Sequence, residues 1–282
     1  MGTINVPFLK LWAKTPVIIQ SIFLGFLIST LGVVMWAVIA TKVPLPYSFI
    51  IMVVLLWFYW RYFSGHWKPN TTKELRKTNF RSTKLSTKTW IWGGLAATLI
   101  VLIEQSGLIV TFRLMEFPAE RFTAAYSFLD SVPLWAGWLF IIMISAVAAI
   151  CEEIGFRGYM QVPLEKRYGP LVSISIVSIV FTIVHLHQAW SGPILIHIFF
   201  ISVLFGSIAY FSGSLIPGIF AHFIMDICNF SFWWTNIGWQ FNKNTIYVTG
   251  LDNNFMFWVF IFISSIILFI YLLKILKKVI ES

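Results

Sequence analysis

The chain has 282 residues, 59% of them hydrophobic and only 11% charged, with a formal net charge of +9. Soluble domains carry about 25% charged residues, so this composition excludes an ordinary soluble domain and points to a polytopic membrane protein. The basic residues lie between apolar runs rather than in one patch, which argues for membrane topology and against a nucleic-acid partner.

In chain order, Met1 to Thr15 carries Lys10 and Lys14, and its Val6 to Trp12 stretch is expected to lie along the membrane interface. Val17 to Ala40 is a charge-free first span, too long for a signal-peptide core and without a small-residue cleavage site. Thr41 to Pro46 makes a turn, and Tyr47 to Tyr62 is a shorter second span with Trp57, Tyr59 and Trp60 at interfacial level. The most basic loop follows, from Arg61 to Lys88. Trp90 to Phe112 is the third span, interrupted by Glu104 and Gln105; no partner for Glu104 is apparent, so it reads as a helix-contact residue. Arg113 to Ser131 is a mixed-charge connection with a candidate amphipathic helix.

The fourth span starts at Pro133 and runs into Cys151-Glu152-Glu153-Ile154-Gly155-Phe156-Arg157, ending at Glu165 to Pro170. Leu171 to His187, Pro193 to Phe211 and Ser214 to Trp234 are the next three spans. A polar connection from Thr235 to Asn254 leads to a last span, Phe255 to Leu273, and to Lys274, Lys277 and Lys278. The expectation is an all-α fold, about eight transmembrane helices in one bundle. Three regions are expected: 1–132, with three spans and the basic loop; 133–234, the functional core; and 235–282, the polar loop and final span.

With the N-terminus inside, the inner segments hold Lys10, Lys14, the eight basic residues from Arg61 to Lys88, Lys166, Arg167 and the three C-terminal lysines. The outer segments hold only Lys42, Arg113, Arg121 and Lys243. The positive-inside rule therefore places both termini in the cytoplasm, with the cell membrane as the expected location. The sequence sets no oligomeric state. Cys151 and Cys228 both lie in apolar runs and read as packing residues rather than a disulfide or a nucleophile.

Charge at membrane depth marks function when partners can be named. Glu152 and Glu153 are adjacent, so they cannot share a helical face, whereas Arg157 is four residues from Glu153 and can pair with it. That leaves Glu152 for another task. Phe181 and His185 share a face of the fifth span, and His222 and Asp226 share a face of the seventh. A glutamate and two histidines on three helices form a convergent set. His66, His187 and His197 have no evident partners and read as structural or interfacial.

Glu152-Glu153-x-x-x-Arg157, Phe181-x-x-x-His185 and His222-x-x-x-Asp226 resemble the three motifs of the CAAX prenyl endopeptidase and bacteriocin-processing (CPBP or Abi) family of intramembrane proteases. The flanking Phe156-Arg157-Gly158 and Gly213-Ser214-Leu215-Ile216-Pro217 are also similar, and the likeness covers roughly Trp135 to Phe230. The resemblance implies an intramembrane endopeptidase in which Glu152 and His185 activate water while His222 and Asp226 support the oxyanion. Asp226 stands where asparagine is the better-known residue. An ionised aspartate only accepts hydrogen bonds, so Asp226 either is protonated by burial and contacts the oxyanion or orients His222, and its four-residue spacing favours the second.

A divalent metal such as zinc, held by Glu152, His185 and His222, is the competing expectation, which would make the chain a metalloprotease. The expected partners are the lipid bilayer and a membrane-bound or lipidated peptide substrate. The alternatives are a non-proteolytic bacteriocin-immunity or partner-binding protein on the same scaffold, and a proton-coupled transporter, although no internal repeat supports the latter. Depth leaves one tension. Counting about 1.5 Å per residue puts Glu152 about 27 Å from the outer start of its span, towards the cytoplasm, and His222 about 12 Å from the cytoplasmic start of its own, but His185 about 21 Å into the fifth.

Overall fold

The computed structural model describes residues 12, 14–82, 85–116, 119–186, 192–235 and 242–281, and among these residues there are helices and connections but no strand. In chain order the helices are α1 (Val17–Lys42), α2 (Tyr47–Phe63), α3 (Lys73–Asn79), α4 (Thr87–Leu114), α5 (Ala119–Tyr126) and α6 (Leu134–Glu152). A wide π-type turn, Glu153–Met160, joins α6 to α7 (Gln161–Tyr168). Then come α8 (Pro170–Val184), α9 (Gly192–Ser212), α10 (Ile216–Thr235) and α11 (Asn253–Glu281). The Val6 to Lys10 stretch, Lys84, His187 and 236–241 lie outside the described residues.

Each of the eight apolar runs forms a helix, but they are not equal. Five stretches are long and apolar enough to cross a membrane: α1, α4, the continuous Leu134–Tyr168, α9 and α11. α2 and α8 are shorter apolar helices, and the 20 residues of α10 include His222, Asp226 and Asn229, which lower its hydropathy. The expected eight crossings therefore stand at five by length and composition among the described residues.

The packing follows residue size. α1 turns Phe23, Phe26, Leu27, Leu31 and Val34 outward, as a lipid-facing helix does, and buries Ser21, Gly25, Ser29 and Gly32 on one stripe. That stripe receives the π turn. A side chain on Gly155 would place its Cβ 2.6 Å from the Gly25 carbonyl oxygen, so only glycine permits the contact. α11 packs along α4, and α9 and α10 complete that half around Ile100, Ile103, Phe205 and Phe269.

The loops at each end are tied together. Arg81 pairs with Glu165 at 2.7 Å, joining the basic loop to α7 on the side where the charge count puts both. Arg113 pairs with Asp252 at 2.5 Å and donates to Thr249 at 2.7 Å, joining the last turn of α4 to the segment before α11 on the other side. Two basic residues counted as loop charge are in fact buried. Arg113 is one, and Arg76 is the other, donating to the carbonyls of Tyr62, Trp67 and Pro69.

Candidate active site

Glu152 and Glu153 turn opposite ways. Glu153 is fully buried, with Oε1 3.1 Å from Arg157 Nη1. The same oxygen accepts a hydrogen bond from His222 Nδ1 at 3.1 Å. Arg157 donates to Ser202 Oγ at 2.9 Å, and its guanidinium lies over Phe181 at 4.5 Å and Phe205 at 5.2 Å. Glu153 Oε2 rests against Gly218, where a Cβ would stand 3.1 Å away. The charge pair is thus walled by aromatic rings and a glycine.

Glu152 faces a cavity of about 410 Å³ whose lining also includes His185, His222 and Asp226. Its side chain is 16% exposed against 0% for Glu153, so only one of the two neighbours reaches open space. Glu152 Oε2 is 4.0 Å from His222 Nε2, and Asp226 Oδ2 is 3.6 Å from the same nitrogen.

His185 sits just past the end of α8. Its Nδ1 is 2.7 Å from the Phe181 carbonyl oxygen, which can only accept, so Nδ1 carries the proton. In the neutral ring Nε2 then holds a lone pair. The Phe181 ring packs on the imidazole at 4.5 Å. Phe181 therefore serves both motifs: its carbonyl and ring hold His185, while the ring also covers Arg157.

His222 is stacked on Phe205 at 5.0 Å and 23°. Its partner differs from the one expected. The hydrogen-bonded carboxylate that orients it is Glu153 at Nδ1, because the tertiary fold brings α10 against the π turn; Asp226 stands near Nε2 beyond hydrogen-bond length.

The depth tension disappears because α6 does not stop at the motif. Through the π turn and α7 the helix continues to Tyr168, so Glu152 is mid-helix rather than towards its cytoplasmic end. Sixteen residues separate Glu152 from Tyr168 and fifteen separate Pro170 from His185, roughly 24 and 22 Å of rise from adjoining helix ends. The two residues lie level.

Four polar residues of the cavity region, Glu104, Gln105, His197 and Asn229, come together from three helices, a grouping that no local spacing announces. Glu104 accepts from Asn229 Nδ2 at 2.8 Å and from the Gln105 side chain, and lies 3.7 Å from His197 Nε2. Glu104 therefore does have hydrogen-bond partners and His197 stands beside it, while His66 bonds Ser64 Oγ at 2.9 Å. The available signal was Asn229, seven residues after His222 and on the same helical face. Cys151 is buried against Gly32 in the apolar core. Among the described residues, no three His, Cys, Asp or Glu side chains are grouped so as to hold a metal ion.

Residues 133–228 match the family model described as Rce1-like, Type II CAAX prenyl endopeptidase Rce1-like. No curated protein and no solved structure matches the chain.

Proposed function

We propose that this chain, whose residues 133–228 match the Type II CAAX prenyl endopeptidase Rce1-like family model, is a protease of that kind and hydrolyses a peptide bond of a membrane-associated or lipidated peptide. The observation that carries the reading is the single cavity lined by Glu152, His185, His222 and Asp226. A water there gives its proton to the Glu152 carboxylate while the lone pair of His185 Nε2 orients it. The oxygen attacks the scissile carbonyl, and the proton on Glu152 passes to the leaving amine, so one water is consumed and acid and amine are formed.

In this account His222 works as an imidazolium. Its Nδ1–H is held by Glu153, and its Nε2–H faces the cavity, where the tetrahedral oxyanion develops. Asp226 and Glu152 flank that nitrogen and support its charge. Asp226 acts through the charge of His222, not as a donor to the oxyanion. Cleavage is expected to persist in a chelator; loss in chelator with rescue by zinc would move the reading to a metal bound by Glu152, His185 and His222.

The apolar lining suits a lipidated or membrane-anchored peptide, and the basic loops suit a cell-membrane protein with cytoplasmic termini. The test is proteomics of membrane-peptide termini in cells carrying wild type or Glu152→Ala. New termini that depend on Glu152 support an endopeptidase. Identical termini in both strains refute it.

A further inference from the structure

The cavity has a second polar end that the hydrolytic chemistry does not use. Glu104, on α4, is 3% exposed. Its Oε1 accepts from Asn229 Nδ2 at 2.8 Å, its Oε2 accepts from Gln105 Nε2, and the same Gln105 nitrogen donates to Asn229 Oδ1 at 2.8 Å. The three side chains close a ring. Facing it from α9, His197 Nε2 stands 3.7 Å from Glu104 Oε1 and is buried without a hydrogen-bond partner. That gap is too long for a hydrogen bond and leaves both atoms able to take a further one.

A buried carboxylate normally requires a full cation, because amide dipoles offset only part of its lost hydration. Among the described residues, no lysine or arginine pairs with Glu104; the near ring is His197. The same cavity is walled by Phe112, Tyr126, Phe230 and Trp233. Aromatic faces attract cations, and do so more strongly where water is excluded. A carboxylate, a ring nitrogen and aromatic walls fit a cationic group, repel a carboxylate and have no use for a purely apolar one.

We propose that Glu104, His197 and Asn229 form a subsite for a lysine or arginine side chain of the peptide substrate. The proposal rests on the endopeptidase reading for its substrate but not for its binding chemistry. An ammonium group between Glu104 Oε1 and His197 Nε2 donates to the carboxylate and to the imidazole lone pair, and Asn229 holds the carboxylate in place. Asn229 follows His222 by seven residues on α10, about 10.5 Å along the axis. An extended peptide advances about 3.3 Å per residue, so the cationic residue falls about three positions from the scissile bond.

The test uses short apolar fluorescein-labelled peptides of one sequence, with lysine, norleucine or glutamate scanned through each position. Binding is measured on the full-length Glu152→Gln protein in nanodiscs, and cleavage on wild type. At one position the lysine peptide should bind about tenfold more tightly than its norleucine twin, with glutamate weakest. Adding Glu104→Gln should erase the lysine preference while leaving norleucine binding unchanged. If Glu104→Gln lowers the melting temperature, His197→Leu carries the same test, since it removes one of the two acceptors and should cut the preference severalfold. Equal binding of lysine and norleucine at every position, or a preference untouched by both substitutions, overturns the subsite. Cleavage without any charge preference refutes the subsite alone. A Glu104-dependent lysine preference with no cleavage refutes the endopeptidase alone.

Discussion

Two adjacent glutamates divide the centre of this molecule into a sealed region and an open one. Within the π turn, Glu153 and Arg157 are both fully buried, 3.1 Å apart, under Phe181 and Phe205. In front of it, Glu152 shares the 410 Å³ cavity with His185, His222 and Asp226. The contrast gives one motif two environments, a sealed charge pair and a carboxylate open to the cavity. A single helical step sends one carboxylate to hold Arg157 and His222, and the other into the cavity.

The largest expected effect is on the sealed side. Arg157→Met breaks the buried pair and leaves His222 as the one charged partner of Glu153 among the described residues, and removing one member of a buried pair typically costs about 3–5 kcal/mol. Little folded protein should be recovered, judged by size-exclusion profile and thermal melting. A stable, monodisperse Arg157→Met protein would erase the distinction between the two regions.

On the open side the effect should be chemical instead. His185→Ala and His222→Ala should each lower cleavage about 10²–10⁴-fold, the range for a lost acid–base or electrostatic group. The double substitution should be little worse, because parts of one device are not additive. Multiplying losses in the double variant would mean the two histidines act separately.

The frame and the cavity meet at Asp226. Asp226→Asn keeps the side-chain volume and should retain part of the cleavage, whereas Asp226→Leu should lose most of it, both at unchanged melting temperature. Full activity in Asp226→Leu would remove this residue from the account. Close packing gives a smaller effect. Gly155→Ala drives a methyl to 2.6 Å from the Gly25 carbonyl oxygen and should destabilise by about 1–3 kcal/mol, read as a lowered melting temperature with the site chemistry intact.

The smallest effect concerns the far end of the bundle. Hydrogen bonds from Arg113, and then from the Phe255 amide, hold the Asp252 carboxyl below its ordinary value of 3.8. A depressed folded value means the Arg113–Asp252 tie stabilises fully above that ordinary value and weakens as pH falls through the lower one. Hydrogen exchange in 242–252 should therefore rise only in strong acid, and Asp252→Asn should flatten that dependence. Acid-induced opening that is the same in Asp252→Asn would assign it elsewhere.

Much of this arrangement was legible in the sequence, and the parts that were not share a cause. Charge-free runs such as Val17 to Ala40 announce membrane helices because bilayer thickness fixes their length. Four-residue spacing likewise announces the Glu153–Arg157 pair, because helix geometry alone brings the two together. The tie from Glu153 to His222 joins residues 69 apart, and that from Asn229 to Glu104 joins residues 125 apart, so no local period encodes either. Arg76 bonds backbone carbonyls, which leave no mark in the side-chain pattern. The π turn seats Gly155 against Gly25 and Ser29 of α1, and only the packed bundle reveals that contact.

The most direct measurement compares Glu152→Gln and Glu153→Gln in the full-length protein, following melting temperature and Glu152-dependent membrane-peptide termini together. The account predicts that Glu152→Gln melts as wild type and produces none of those termini, while Glu153→Gln, which weakens the hold on Arg157 and His222, melts markedly earlier. A Glu152→Gln protein that still generates the termini, or a Glu153→Gln protein that melts as wild type and cleaves normally, would contradict the division of labour between the two carboxylates.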